Sequence, residues 1–370
     1  MNSNIISIGT ANPIHVIKQK EVLAFMLKAH GLTGNKKTRL EALYRATGIE
    51  QRHTVLPDYQ TDDSNAWRFY PNNNALSPFP DTAKRAEKYR EEAIKLSVAS
   101  AQNAFDQTHL SPKEITHLIT ISCTGMYAPG LDIDLVHSLG LSTSIERTSI
   151  NFMGCYAAFN GLKMAQHIGK SVPDAKVLIV ATELCTIHFQ KESNDDNLLA
   201  NAIFGDGSAS VIISNEKKDA KQKCLLQPIA FHNDLFKNGA TEMAWNIGNF
   251  GFEMKLSVYV PDLIEEGIGK LVERLMGGRK DKPSHYAIHP GGKRILEVIE
   301  KELNISKTQN QSAREVLKSF GNMSSPTLLF VLHKLWQGLG EENLNEEILA
   351  LAFGPGLTLE SMILSIVKSD

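Results

Sequence analysis

Three residues far apart in the chain have side chains suited to one reaction: Cys155, His289 and Asn322. Cys155 lies between a strand-like run, 147–152, and a helix that begins Ala157-Ala158-Phe159. A thiol at a helix N-terminus meets unpaired N–H groups and the positive end of the helix dipole, which favour thiolate. An unperturbed thiol, with a pKa of about 8.5, is only slightly ionised at neutral pH, so a nucleophile needs such help. The plainer role for a free cysteine is that of a small buried hydrophobe. His289 ends a strand-like run and precedes Pro290-Gly291-Gly292, the kind of strand tip where open α/β sheets hold ligands. Asn322, ahead of Met323-Ser324-Ser325, taken alone suits a helix N-cap. Thiol, imidazole and amide together suit covalent acyl transfer with a stabilised oxyanion.

Bringing them together requires a particular order of elements, and that order occurs twice. The chain alternates strand-like and helix-like segments, an α/β pattern. In the first half a strand (117–123) precedes a helix (132–139), Gly154-Cys155 opens the next helix, and strands 176–182 and 208–214 follow. In the second half a strand (285–289) precedes a helix (293–303), Gly321-Asn322 opens the next helix, and strands 348–353 and 357–367 follow. This reads as a duplication, with halves 1–216 and 224–370 joined at the lysine-rich stretch 217–223. A pseudo-twofold axis would then place Cys155 beside Asn322, with His289 at the counterpart of the Cys123 strand tip. A junction of two similar halves is a common place for a pocket. Residues 81–106 predict a long helix with Asp81 at its N-cap. Residues 54–80, polar and carrying four prolines, predict a surface excursion.

Composition narrows the function classes. A chain of 370 residues, 42% hydrophobic and 22% charged, can bury one large core or two medium ones. A net charge of −2 argues against nucleic-acid binding. The runs 217–223 and 279–282 mix both signs and read as solvated turns. Cys123, Cys155, Cys185 and Cys224 are widely separated, without C-x-x-C or histidines at zinc spacing. Neither a disulfide framework nor a metal site is expected, and a reducing cytoplasm is. The N-terminus lacks a basic stretch followed by an apolar one, so no signal peptide is expected. The most apolar stretch is interrupted by Gly354-Pro355-Gly356 and Glu360, which predicts no membrane span.

Five motifs in order then carry a resemblance: Gly-Cys-x-Ala (154–157), Phe-Gly-Asp-Gly-Ser-Ala (204–209), Ala-Ile-His-Pro-Gly-Gly (287–292), Gly-Asn-Met-Ser-Ser (321–325) and Phe-Gly-Pro-Gly-Leu-Thr-Leu-Glu (353–360). The runs 6–13 and 46–53 extend it over nearly the whole chain. The set resembles that of the chalcone and stilbene synthase family, the type III polyketide synthases of the thiolase superfamily. The resemblance implies a thiolase-like five-layered αβαβα fold, a homodimer, and malonyl-CoA with an acyl-CoA starter as substrates. It implies no cofactor beyond those CoA thioesters.

It further implies that Cys155 carries the starter and growing chain as a thioester. His289 would support its thiolate and, with Asn322, donate to the malonyl thioester oxygen as CO2 leaves. An amide donor cannot be titrated away, which suits an enolate oxyanion. Phe204 matches an aromatic gatekeeper, and Met254 stands where the plant enzymes have its Phe partner. Thr124, Cys123, His188, Trp245 and Ser324 fall at cavity-lining positions, Trp245 in place of a plant glycine. Ala128 replaces a Met that crosses the dimer interface, and plant-type cationic contacts to CoA phosphates do not align cleanly over 39–46. Small or linear starters are therefore expected over bulky aromatic ones. A β-ketoacyl-[acyl-carrier-protein] synthase III-like enzyme shares the triad, but its pattern after the histidine is Gln-Ala-Asn. A thiolase needs a second late cysteine, and none follows Cys224. A papain-like protease lacks this motif order, and a non-catalytic acyl-binding homologue need not keep all three residues.

Overall fold

The computed structural model describes residues 3–60, 65, 67–73, 76–236, 239, 241–257, 259–279 and 282–369. Met1 and Asn2 of the N-terminal run, and Lys280 and Asp281 of the second mixed-charge turn, lie outside them. The strands are β1 (Asn4–Ala11), β2 (His15–Lys18), β3 (Gln51–Thr54), β4 (His117–Ser122), β5 (Glu146–Asn151), β6 (Lys176–Leu184), β7 (Asp206–Ser214), β8 (Cys224–Leu235), β9 (Met243–Gly248), β10 (Gly251–Leu256), β11 (His285–Ile288), β12 (Glu347–Gly354) and β13 (Thr358–Lys368). The helices are α1 (Gln19–His30), α2 (Gly34–Ala46), α3 (Thr82–Phe105), α4 (Leu131–Leu139), α5 (Ala157–Ser171), α6 (Asp195–Ile203), α7 (Val260–Met276), α8 (Lys293–Leu303), α9 (Gln311–Phe320) and α10 (Pro326–Trp336). No helix among the described residues is long and apolar enough to cross a membrane.

The large sheet runs β11-β12-β13-β8-β1-β7-β6-β4-β5. Its two halves repeat one pattern. In the first, β4 is parallel to β6, β6 antiparallel to β7, and β7 antiparallel to β1. In the second, β11 is parallel to β12, β12 antiparallel to β13, and β13 antiparallel to β8. Among the described residues the half-sheets pair where Ile5 faces Leu226. Helices α5 and α10 each touch strands of both half-sheets; α3 covers the outer face of the first, and α7 with α8 that of the second. That makes five layers, helix–sheet–helix–sheet–helix. Strands β4, β6 and β7 are buried along nearly their whole length and read as continuous apolar or small-residue runs. Strand β5 ends the sheet, and its exposed residues, Glu146, Arg147, Ser149 and Asn151, blunt an open edge.

The long helix forms as expected: Asp81 Oδ1 accepts from Lys84 N at 2.8 Å, capping α3. The stretch 54–80, of which 61–64, 66, 74 and 75 lie outside the described residues, is not wholly a surface excursion. Val55, Leu56, Tyr59, Trp67, Phe69, Tyr70 and Leu76 are buried in a second apolar cluster with Phe25 and Phe189. The Phe25 ring lies 4.6 Å from Tyr59 and 5.4 Å from Trp67, centroid to centroid. Buried Asp58 ties the chain down by accepting from the backbone N–H of Arg68, Phe69 and Tyr70. The aromatic anchors recur at no fixed period, so the polar residues and prolines between them gave the segment a surface character.

Candidate active site

The turn that opens α5 can form only because glycine stands on both sides of a close backbone approach. Gly154 has φ +80°, and a Cβ there would meet Pro355 Cδ at 2.3 Å. A Cβ on Gly354 would lie 2.8 Å from Tyr156 Cδ1 and 3.2 Å from Cys155 N. The Gly354-Pro355 loop of the second half therefore packs directly on the Cys155 turn of the first. Burial pushes the Cys155 thiol up to about 11; contacts with Ser324 and Asn322 oppose this, and the negative charge of Glu183 adds to it. Burial thus works against the thiolate expected from the helix N-terminus. Desolvation opposes the dipole at this buried turn.

Asn322 is held at the matching turn by a bridge to the Phe204 segment. Gly205 N donates to Asn322 O, and Asn322 N to Ile203 O, both at 2.9 Å. Its Oδ1 accepts from Ser324 N at 2.8 Å and from Thr327 Oγ1 at 3.4 Å. With Oδ1 engaged, the amide has Nδ2 left to offer, and the contact with Cys155 uses this side chain. Asn322 thus braces the turn before α10 without being its N-cap, which is Ser325, and its free end remains a donor.

His289 follows β11, its N–H donating to Leu351 O at 2.8 Å. Its ring stands edge-on to Phe353 at 5.6 Å, next to the Gly354 that touches Cys155. The side chain is fully buried, and neither ring nitrogen has a hydrogen-bond partner among the described residues. Burial holds the imidazole down to about 3. A neutral imidazole can accept the proton of a neutral thiol.

Cys123, Thr124 and Ser324 gather around a residue that sequence reasoning missed, Glu183. This carboxylate is fully buried and accepts from Thr124 N (3.0 Å) and Oγ1 (2.7 Å), Cys123 N (3.0 Å) and Sγ (3.2 Å), Ser122 Oγ (3.2 Å) and Ser325 Oγ (2.8 Å). Ser324 Oγ lies 3.3 Å from Cys123 Sγ. The available signal was a lone acid in the apolar strand Lys176–Leu184 (KVLIVATEL).

Phe204, His188, Trp245 and Met254 line one cavity, beside Phe252 and Arg52; Cys123, Thr124 and Ser324 do not border it. Trp245 and Met254 sit opposite each other on the β9–β10 hairpin. The indole Nε1 donates to Cys123 O at 2.6 Å, which fixes the tryptophan over the β4 tip. His188 clamps the hairpin there: Nε2 contacts Thr124 O at 2.6 Å and Nδ1 accepts from Phe252 N at 3.0 Å. Its ring stacks on Phe252 at 4.3 Å, and burial holds it down to about 3. The remaining free volume is about 30 Å³, room for two or three waters at roughly 10–15 Å³ each. Arg52, also missed, is buried behind this wall and donates to Asn201 O and Phe204 O, fixing the gatekeeper segment. On the other side of α6 a second, mostly apolar cavity of about 270 Å³ is lined by Leu199, Ile203, Leu256 and Val260, with Lys293 and Arg294 of α8.

Residues 2–217 match the family profile "Chalcone and stilbene synthases, N-terminal domain", and residues 229–368 the corresponding C-terminal domain. The chain is 27% identical to "Type III polyketide synthase A" of Arabidopsis thaliana, over 100% of this chain and 94% of that protein. It is 28% identical to "Probable polyketide synthase 1" of Dictyostelium discoideum over 99% of this chain, but spans only 12% of that protein. Among solved structures it superposes on a polyketide synthase of the brown alga Ectocarpus siliculosus with a TM-score of 0.91 at 28% identity, covering 99% of this chain and 98% of that one. The C-terminal type III polyketide synthase domain of Steely1 from Dictyostelium gives 0.89 at 26% identity, covering 99% and 100%. With both domain profiles and the fold in agreement, the chain belongs to the chalcone and stilbene synthase family and is a type III polyketide synthase.

Proposed function

We propose that this enzyme condenses malonyl-CoA onto an acyl-CoA starter with Cys155 as acyl carrier and His289 and Asn322 as its partners. The observation that carries the reading is the orientation of Asn322: its oxygen is tied to Ser324 and Thr327 while its side chain meets Cys155. In the proposed cycle His289 takes the Cys155 proton as sulfur attacks the starter thioester, and CoA leaves with a proton. Malonyl-CoA then loses CO2, and the enolate oxygen is held by Asn322 Nδ2 and His289. Enolate carbon attacks the Cys155 thioester, forming the C–C bond and returning the cysteine sulfur. These steps require only CoA thioesters.

Trp245 and Met254 act as selectors on this reading. The small free volume beside the indole suits small or linear starters, and Met254 is unbranched and able to yield to a thin chain. The 270 Å³ apolar cavity suits a pantetheine arm, with Lys293 and Arg294 near its phosphates. The open edge at β5 and the exposed Met126 and Met153 suit a homodimer face. Four free cysteines suit a reducing cytoplasm. The test is to incubate the protein with malonyl-CoA and acetyl-, hexanoyl- or p-coumaroyl-CoA and read product masses. Polyketides from the first two starters in preference to the third are expected; no condensation with any starter would overturn the reading.

A further inference from the structure

The hairpin of β9 and β10 carries Trp245 and Met254 but lies outside the nine-stranded sheet, as a two-stranded piece of its own. One face is apolar, with Met243, Trp245, Phe252, Met254 and Leu256, and the other carries Asn246, Glu253 and Lys255. A two-stranded hairpin is marginally stable by itself, and burial of an apolar face is non-directional. Hydrogen bonds must therefore fix how deep the hairpin sits. Trp245, His188 and Gln190 supply some, Gln190 Nε2 donating to Phe250 O at 3.0 Å and to Phe252 O at 3.1 Å; all three line the cavity. Thr82, the first residue of α3, does not border the cavity, yet it grips the hairpin turn. Its Oγ1 donates to Gly248 O and accepts from Gly251 N at 2.9 Å, and its N–H donates to Asn249 O at 3.0 Å. Gly251 has φ +101°, and a Cβ there would meet Arg85 Cδ at 2.6 Å and His188 Nδ1 at 3.0 Å. Arg85, buried one turn along α3, donates in turn to Pro80 O at 2.9 Å and to Ile187 O. The hairpin turn is thus pressed onto α3 with no room for a side chain between them.

We propose that Thr82 is a positioning residue that sets starter selectivity from outside the pocket, by latching the β9–β10 turn so that Trp245 and Met254 stay against His188 and Phe204. The role rests on the reading of Trp245 and Met254 as selectors. With about 30 Å³ free beside them, a small outward shift of the hairpin is a large relative gain in room. Release of the latch lets the hairpin ride outward without altering any residue that lines the cavity. Large starters benefit first, because an acetyl group needs the least room. The turns that hold Cys155, His289 and Asn322 belong to other elements, so decarboxylation of malonyl-CoA is spared.

The experiment compares the intact protein with Thr82→Val, Thr82→Ser and Gly251→Ala. It measures kcat and KM with acetyl-, hexanoyl- and p-coumaroyl-CoA, malonyl-CoA decarboxylation without starter, and amide deuterium exchange over 246–253 by mass spectrometry. Thr82→Val removes both hydroxyl bonds at nearly constant shape, so the Gly251 amide should exchange roughly three- to tenfold faster, the span of one net hydrogen bond. Its kcat/KM for p-coumaroyl-CoA relative to acetyl-CoA should rise several-fold, while decarboxylation stays at the parent's rate. Thr82→Ser keeps the hydroxyl and should keep the parent's ratio. Unchanged exchange or unchanged selectivity in a folded Thr82→Val protein would overturn the role, and so would a fall in decarboxylation equal to that in condensation. Should Thr82→Val fail to fold, Gly251→Ala pushes the turn off Arg85 with Thr82 intact; the same rise is expected, and an unchanged ratio would overturn the proposal. Trp245→Gly, measured alongside, separates the two readings. A changed profile there with none in Thr82→Val overturns the latch alone, whereas no change in either, or no product from the parent, overturns the selectors as well.

Discussion

The tips of β4 and β11 occupy equivalent places in the two half-sheets but are satisfied in opposite ways. At the β4 tip, Glu183 takes six donors and Thr124 spends both its N–H and its hydroxyl on that carboxylate. At the β11 tip, His289 is equally buried, yet both ring nitrogens lack partners among the described residues. Leaving a buried polar group unpaired costs about 1–3 kcal/mol, a cost that persists where the group has chemistry to do. On the proposed mechanism one tip holds the site in place, and the other keeps its hydrogen-bonding capacity for the reaction. On the same reading the Cys155 and Asn322 turns divide into a nucleophile and a fixed donor.

The largest effect should come from Cys155→Ala, which should abolish polyketide formation while Cys185→Ala and Cys224→Ala stay within a few-fold of the parent. Condensation by the Cys155→Ala protein would break the assignment.

Next in size is the division between His289 and Asn322. Removing one oxyanion donor costs about 10²–10³ in rate, so Asn322→Ala should lose malonyl-CoA decarboxylation by roughly that factor and slow alkylation at Cys155 far less than His289→Ala does. His289→Ala should lose decarboxylation and also slow alkylation, because the proton acceptor is gone. Equal alkylation rates in the two variants would show that the imidazole does not act on the thiol.

A smaller, qualitative effect is expected from Trp245→Gly. The substitution deletes the indole and its bond to Cys123 O, so the product profile should broaden toward aromatic starters or further extensions. The half-buried position should make the stability cost about 2–3 kcal/mol, below the 3–5 typical of buried aromatic truncation. An unchanged profile from a folded, active protein would place Trp245 in packing alone.

The smallest effect is on stability against pH. His188 and His289 are held down to about 3, from an ordinary 6.5. Between those values the unfolded chain binds protons that the fold excludes, so stability falls as pH drops below about 6.5. Asp206, pushed up to about 6 from 3.8, works in the opposite sense within that window. Removing one imidazole by His289→Asn should cut proton uptake on unfolding by about one and flatten the acid side of the urea-midpoint curve. An unchanged slope would mean that His289 titrates normally in the fold.

Much of this arrangement was legible in the sequence, because glycines punctuate both turns and strand runs precede both tips. The succession of strands and helices along each half followed from spacing alone, and so did the ends of α3. Glu183 was not legible: its partners come from 122–124 and 325, and only the fold brings them to one carboxylate. The buried anchors within 54–80 were hidden because Tyr59, Trp67 and Tyr70 follow no helical or strand period. The burial of Cys155 was missed for a related reason. A helix N-terminus is visible in sequence, whereas the desolvation that opposes it belongs to tertiary packing. His188 shows the same limit, since a position assigned to the cavity wall proved also to clamp the hairpin carrying Trp245 and Met254.

The most direct test of the account is to expose the protein to hexanoyl-CoA without malonyl-CoA, quench, digest, and locate the acyl group by tandem mass spectrometry. The account predicts a single hexanoyl adduct on the peptide containing Cys155, discharged when malonyl-CoA is added. An adduct confined to Cys123, Cys185 or Cys224, or product formation with Cys155 never acylated, would contradict it.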